Sequence, residues 1–196
     1  MLRNHLKIAW HNIVKHKGYA LINILGLGVG IAVCLFIYLW VQDELSFDRF
    51  HQDRDRIFRV VSSWERQGWE GLEVTPAPLA PAMEKEIPEV IHAARCVSHA
   101  RLVFQYKNKR FYEERGLITD PSFFQIFTFP FLQGELGSAF QNPTDMVITE
   151  SMGRKYFGEE NPMGKTIQVE GRSCTITGVI RDIPENSHLQ FDFVSS

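Results

Sequence analysis

Residues 158–166 read GEENPMGKT, the segment of this chain nearest to a phosphate-binding loop. In that motif four residues separate the first glycine from Gly-Lys, and a helix N-terminus behind the loop holds the anion. Here five residues intervene, Glu159 and Glu160 would repel a phosphate, and Thr166–Val169 behind the loop reads as a strand. Nucleotide chemistry is therefore rejected at this segment. His51, Asp53 and Asp55 alternate beside Asp48, a string of metal-ligand residue types. Arg49, Arg54, Arg56 and Arg59 interleave with the acids, which favours ion pairing along a solvated connector over a metal centre. His92, His99 and His188 have no acid at an informative spacing, and Ser62, Ser63 and Ser151 have no nucleophile context. The sequence therefore predicts no catalytic, cofactor-binding or metal site and no enzyme activity, and it identifies no substrate contact.

Two aromatic groups invite a binding reading. Phe123, Phe124, Phe127, Phe129 and Phe131 crowd around Pro130, and core packing of a short helix and its loop is preferred over an exposed docking patch. Trp64 and Trp69 flank a turn containing Gly68 and are expected to cover a sheet.

The elements that carry these residues begin with a membrane helix. Residues 18–42 contain an uncharged apolar run ending in Tyr38, Leu39 and Trp40, with Asn23 as its one strongly polar interruption. About 20 such residues suffice to span a bilayer as a helix. A cleaved signal peptide has a shorter apolar core and a small-residue cleavage site, so a retained anchor is favoured. Arg3, Lys7, Lys15 and Lys17 precede the run, whereas no Lys or Arg follows it until Arg49. That asymmetry places the N-terminus on the cytoplasmic side and the body outside. Within residues 1–17, Leu2, Leu6, Ala9, Trp10, Ile13 and Val14 recur at helical spacing. The segment reads as an amphipathic basic helix on the inner membrane face, with a solvated leader as the alternative. Gly26, Gly28, Gly30 and Ala32 place small residues four apart on the membrane helix, which suits close packing against another helix.

The remaining body, residues 43–196, is long enough for one globular domain. The net charge of −2 and the lack of a basic run outside the N-terminus argue against nucleic acid. Cys34 falls in the span; Cys96 and Cys174 lie outside, where a disulfide is permitted but cannot be read from sequence. Strands are expected at Ile57–Trp64, Ile91–Ser98, Arg101–Tyr106, Arg110–Glu114, Gly116–Thr119, Met146–Thr149, Thr166–Val169, Ser173–Ile180 and Phe191–Val194. Hairpin tips fall at Lys107–Asn108–Lys109 and Glu170–Gly171–Arg172. Helices are expected within Thr75–Pro88, from Asp120 as N-cap to Phe127, and over Glu150–Phe157 with Gly158 as a left-handed cap. The fold class is α+β: one transmembrane helix, then a mixed α/β extracytoplasmic domain. The abrupt end at Ser196 suggests that this domain is incomplete at its C-terminus.

Several segments together resemble a known family. The opening LKIAWHNIVKHKGYALINILGLGVGIAVCLFIYLWVQDELSFDRFH is similar to the start of FtsX-like, MacB-type permeases. DRIFRV, TPAPLAP, EIPEV, ITDPSFFQIFTFPFLQG, VITESMGRKYFG, NPMGKTIQV and TITGVIRDIPENSHLQFDF resemble its periplasmic core domain, in order along nearly the whole chain. The resemblance implies a permease subunit of an ABC transporter in a bacterial inner membrane. ATP hydrolysis by a separate cytoplasmic ATPase subunit would move the outer domain, to export or extract a substrate. It implies a permease dimer in the lipid bilayer, a periplasmic adaptor, and no cofactor in this chain. Residues 1–17 would lie near the ATPase, Gly26, Gly28 and Gly30 would pack against sister helices, and 43–196 would be the moving domain. The chain has neither a fused ATPase nor the later membrane helices, as expected of the first portion of a longer subunit. The alternative is a single-span anchored binding or sensory module, although residues 1–17 are small for a signalling domain. An anchored enzyme would need a clustered site that the sequence does not display.

Overall fold

The computed structural model describes residues 5, 10–11, 14–64, 69–72 and 74–196, which fall into two units, Met1–Phe47 and Asp48–Ser196. The first unit is dominated by helix α1, Lys17–Glu44. At 1.5 Å per residue its 28 residues extend for about 42 Å, more than the ~30 Å hydrocarbon core of a bilayer. It is apolar on every face and none of its residues is buried. Such a helix has no polar face to offer water, so its length and composition suit a membrane span. The amphipathic segment expected over 1–17 lies largely outside the described residues; of it, His5, Trp10, His11, Val14 and Lys15 are helical and exposed.

The second unit opens with a small antiparallel pair, β1 (Ser62–Trp64) and β2 (Trp69–Leu72), in which Trp64 stands opposite Trp69. Strand structure was expected from Ile57, but Ile57–Val61 joins no ladder. β-Formers alone do not make a strand when no neighbour supplies hydrogen bonds. Helix α2 (Leu79–Glu86) follows, and then the long hairpin of β3 (Cys96–Tyr106) and β4 (Lys109–Thr119). Its loop is Lys107–Asn108, with Lys107 at φ +50°. The three strands predicted between Arg101 and Thr119 are thus two, because bulges between Ser98 and Leu102 let the ladder continue past Gly116. A Cβ on Gly116 would stand 2.3 Å from Phe193 Cζ and 2.7 Å from the Ala100 carbonyl, so only glycine fits there. Residues 91–95, expected to begin a strand, lead into β3 without pairing.

Helix α3 (Phe123–Ile126), β5 (Phe131–Gln133), β6 (Asp145–Thr149), α4 (Glu150–Phe157), β7 (Thr166–Val169), β8 (Arg172–Ile180) and β9 (Phe193–Ser195) complete the domain. Among the described residues the main sheet has seven strands in the order β5-β8-β6-β9-β4-β3-β7, and β7 pairs back onto β8. The sheet therefore curls on itself. The β4–β9 and β6–β8 pairs are parallel, the latter joined through α4 and β7, and the remaining pairs are antiparallel.

Strand alternation sends side chains into two cores. On β6, Met146 and Ile148 pack with Phe104, Tyr156, Ile167 and Phe193, while Val147 faces Leu117, Phe123, Phe124, Phe129 and Phe191. β6 is buried along its whole length, which suits the uninterrupted run MVIT. Thr149 caps α4 by accepting from the Met152 amide. Gly158 ends that helix at φ +64°, ψ −123°, a glycine conformation, but not the left-handed helical one predicted. The β7–β8 hairpin turns through Glu170 and Gly171, both with positive φ, as a two-residue turn matched to strand twist requires.

Candidate functional site

On α1, the small-residue positions Gly26, Gly28 and Gly30 are open: a Cβ built on any of them meets nothing within 4 Å. Ala32 is exposed on the same helix. The phosphate-loop look-alike ends in strand β7, so no helix N-terminus stands behind Lys165. Glu160 there accepts from Lys107 and Lys165 on an exposed surface, and the pair of lysines holds its carboxyl below the usual range. Ser151 is part of the α4 N-terminus: its amide and hydroxyl both donate to Asp182, at 2.8 and 2.5 Å.

The aromatic cluster is core. Phe123, Phe124 and Phe129 are buried and meet Phe191 and Phe140 edge-on or stacked. Asp120, predicted as the cap of α3, instead pairs with Arg95 through both carboxylate oxygens, and Arg95 holds it below the usual range. A guanidinium in reach is a stronger partner than one backbone amide. Cys34, Cys96 and Cys174 are free thiols, and burial pushes Cys96 and Cys174 up.

Two polar clusters draw distant segments together. In the first, the carboxylate of Glu113 on β4 is buried and accepts from Lys155 Nζ at 2.6 and 2.9 Å and from the Tyr156 hydroxyl at 2.5 Å. Lys155 also lies over the Phe111 ring at 4.9 Å. Burial first, and then Glu113, pushes the Tyr156 phenol far above its ordinary value. Beside this group burial raises the Asp192 carboxyl against the pull of Arg115, 3.6 Å away.

The second cluster is at the first residues of the domain, directly after the unit containing α1 in sequence. Asp48 adopts φ +54°, and its amide donates to the Asn186 carbonyl. Its carboxylate accepts from Ser187 Oγ at 3.0 Å, the His188 amide at 3.1 Å and His188 Nδ1 at 2.6 Å. Burial alone would raise this carboxyl, but the His188 and Ser187 hydrogen bonds outweigh it and hold it low. His51 lies behind Asp48, 3% exposed among Phe50, Phe127 and Phe129. Its Nδ1 accepts from the Thr128 amide at 3.1 Å, while its buried Nε2 has no hydrogen-bond partner among the described residues. Burial depresses its pKa, and Asp48 offsets part of that. An orphaned buried donor costs about 1–3 kcal/mol.

This corrects the reading of the H-x-D-x-D string as a wholly solvated connector. Asp53–Arg56 and Arg54–Asp55 are surface pairs at 4.0 and 3.6 Å, but His51 is a core residue and Asp48 binds His188, 140 positions away. No sequence signal marks that pairing, since Asp48 and His188 each stand among ordinary loop residues. Glu113 on β4 and Tyr156 on α4 were missed too, because nothing within either element names a partner in the other.

The profile of the MacB-like periplasmic core domain matches residues 20–195. Among solved structures, a domain of a candidate permease from Porphyromonas gingivalis is 30% identical, with a TM-score of 0.53 over 60% of this chain and 55% of that one. The periplasmic region of MacB from Actinobacillus actinomycetemcomitans is 22% identical, with a TM-score of 0.46 over 59% of this chain and 52% of that one. The extracellular domain of YknZ, a noncanonic ABC-type transporter from Gram-positive bacteria, is 15% identical, at 0.40 over 52% and 53%. The chain thus spans about half the length of the solved chains that it matches. No curated protein matches it. With its profile match running from the apolar helix to the last strand, this chain belongs to the family of MacB-like periplasmic core domains.

Proposed function

We propose that this chain is the N-terminal part of an ABC-transporter permease subunit, in which a partner ATPase moves the extracytoplasmic domain through the membrane helix. The observation that carries the reading is the family match over residues 20–195, which takes in most of α1 together with the folded domain. The bare apolar surface of α1 suits a bilayer, and the basic flank before it favours a cytoplasmic N-terminus. The domain, residues 43–196, then lies outside the cytoplasm and works by moving rather than by catalysis. Residues 1–17 lie at the inner face beside the ATPase, and Gly26, Gly28, Gly30 and Ala32 form the face that packs against another membrane helix, in a permease dimer. A periplasmic adaptor completes the assembly.

The test is co-purification of the full-length gene product from its own cells in mild detergent, with mass spectrometry of what accompanies it. A stoichiometric ABC-type ATPase is expected; a product that purifies alone, with a single span, overturns the reading in favour of an anchored binding module. Gly26→Leu with Gly30→Leu is expected to reduce recovery of the complex, and unchanged recovery removes the packing face.

A further inference from the structure

Asp48 lies between two imidazoles and is bonded to one of them. Toward the Pro184–Leu189 loop, its Oδ2 accepts from His188 Nδ1 at 2.6 Å, and its Oδ1 takes the Ser187 hydroxyl and the His188 amide. Toward the core, His51 Nε2 stands 4.0 Å from Oδ1. The Thr128 amide donates to His51 Nδ1, so the neutral ring must carry its proton on Nε2. That proton is buried and has no acceptor among the described residues. Phe50, Phe127 and Phe129, which pack around the ring, can supply none. Asp48 is the charged group that acts on His51; the segment between α3 and β5 brings only the Thr128 backbone and its aromatic rings. Asp48 itself is faced by His188, Ser187 and His51.

From this geometry we infer that Asp48 is a two-position switch, holding the Pro184–Leu189 loop in one position and the buried His51 in the other. A displacement of about 1 Å turns the 4.0 Å gap into an ordinary hydrogen bond and gives the orphaned Nε2–H its acceptor. The outer position wins here because it supplies three donors against one. When the loop withdraws, the inner position takes over, so the carboxylate is never left without a partner. The switch sits where the chain passes from the first unit into the domain, and the loop that it holds leads into β9. Its use in transmitting motion from the membrane rests on the permease reading; its existence does not.

The experiment is a pH titration of the His51 ring by nitrogen-15 NMR on the full chain in detergent, with no ATPase present. In His188→Ala, Asp48 turns inward and the His51 midpoint is expected about one pH unit higher than in the unmodified chain. The rise should vanish in His188→Ala combined with Asp48→Asn. An unchanged or lower midpoint in His188→Ala, or a rise that survives the double substitution, overturns the switch. Should His188→Ala fail to fold, Ser187→Ala weakens the outer position alone, and a smaller rise is expected; its absence overturns the inference equally. A raised midpoint with no co-purifying ATPase keeps the switch and discards the transporter, and the reverse pattern discards the switch alone.

Discussion

Glu113 and Asp48 are both carboxylates that gather distant segments, yet their surroundings differ in one respect. The Glu113 group is saturated: the buried carboxylate takes the buried Tyr156 phenol and the half-exposed Lys155 ammonium beside the core of β3, β6 and α4. The Asp48 group is partly exposed, and one of its two histidines is left without an acceptor among the described residues. A saturated buried network has one good arrangement and resists change. An unsaturated one has a second arrangement within reach. The contrast separates a part of the domain that serves as scaffold from a part built to shift.

The largest expected effect breaks the saturated side. Glu113→Ala leaves the Tyr156 hydroxyl buried without an acceptor, while half-exposed Lys155 can turn to water. The loss of stability should be about 2–3 kcal/mol by urea unfolding, below what a fully buried pair would give. A change under about 0.5 kcal/mol would place Glu113 with ordinary surface residues.

A smaller effect sharpens the other side. His51 has a folded-state pKa below its unfolded value of about 6.5, so the fold prefers the neutral ring. The unfolded chain then binds more protons, and stability is full above about pH 6.5 and falls as the pH drops below it. Asp48, also depressed, contributes stability that is full above the unfolded carboxylate value near 3.9 and is lost as the pH falls through its lower folded value. Two stages of acid destabilisation are expected. His51→Phe should remove the upper stage, keep the lower, and change neutral-pH stability by less than about 1 kcal/mol. Urea midpoints from pH 8 down to about pH 2 measure both stages; an upper stage that persists in His51→Phe rules out His51 as its source. The smallest effect is at Glu160, exposed between Lys107 and Lys165, where Glu160→Gln should leave the melting temperature unchanged at moderate salt.

Much of the scaffold is legible before any coordinates. Glu150–Phe157 is read as a helix stopped by Gly158, and the helix has those bounds. Thr166–Val169 and a tip at Glu170–Gly171–Arg172 are read from local chemistry, and the hairpin forms there, with Arg172 already in β8. Ile57–Val61 misled because its residue types suit a strand that no neighbour completes, and Asp120 because its local role as a cap lost to Arg95 across 25 residues. The candidate switch was hardly visible at all. His51 reads as one ligand type in a charged string until Phe127 and Phe129 close over it.

What the sequence by itself determined here is whatever depends on neighbours along the chain. The long apolar helix, helix α4 with its glycine stop and the β7–β8 turn follow from hydropathy, a helix terminator and φ preferences within a few residues. Only the tertiary structure decided the partners: that β7 closes back onto β8, that Glu113 meets Tyr156, and that Asp48 meets His188 rather than His51. Those choices turn on ångström differences in where strands and loops bring donors and acceptors together, and on which groups lose their water in doing so. Neither quantity is written into the order of residues around any one of them.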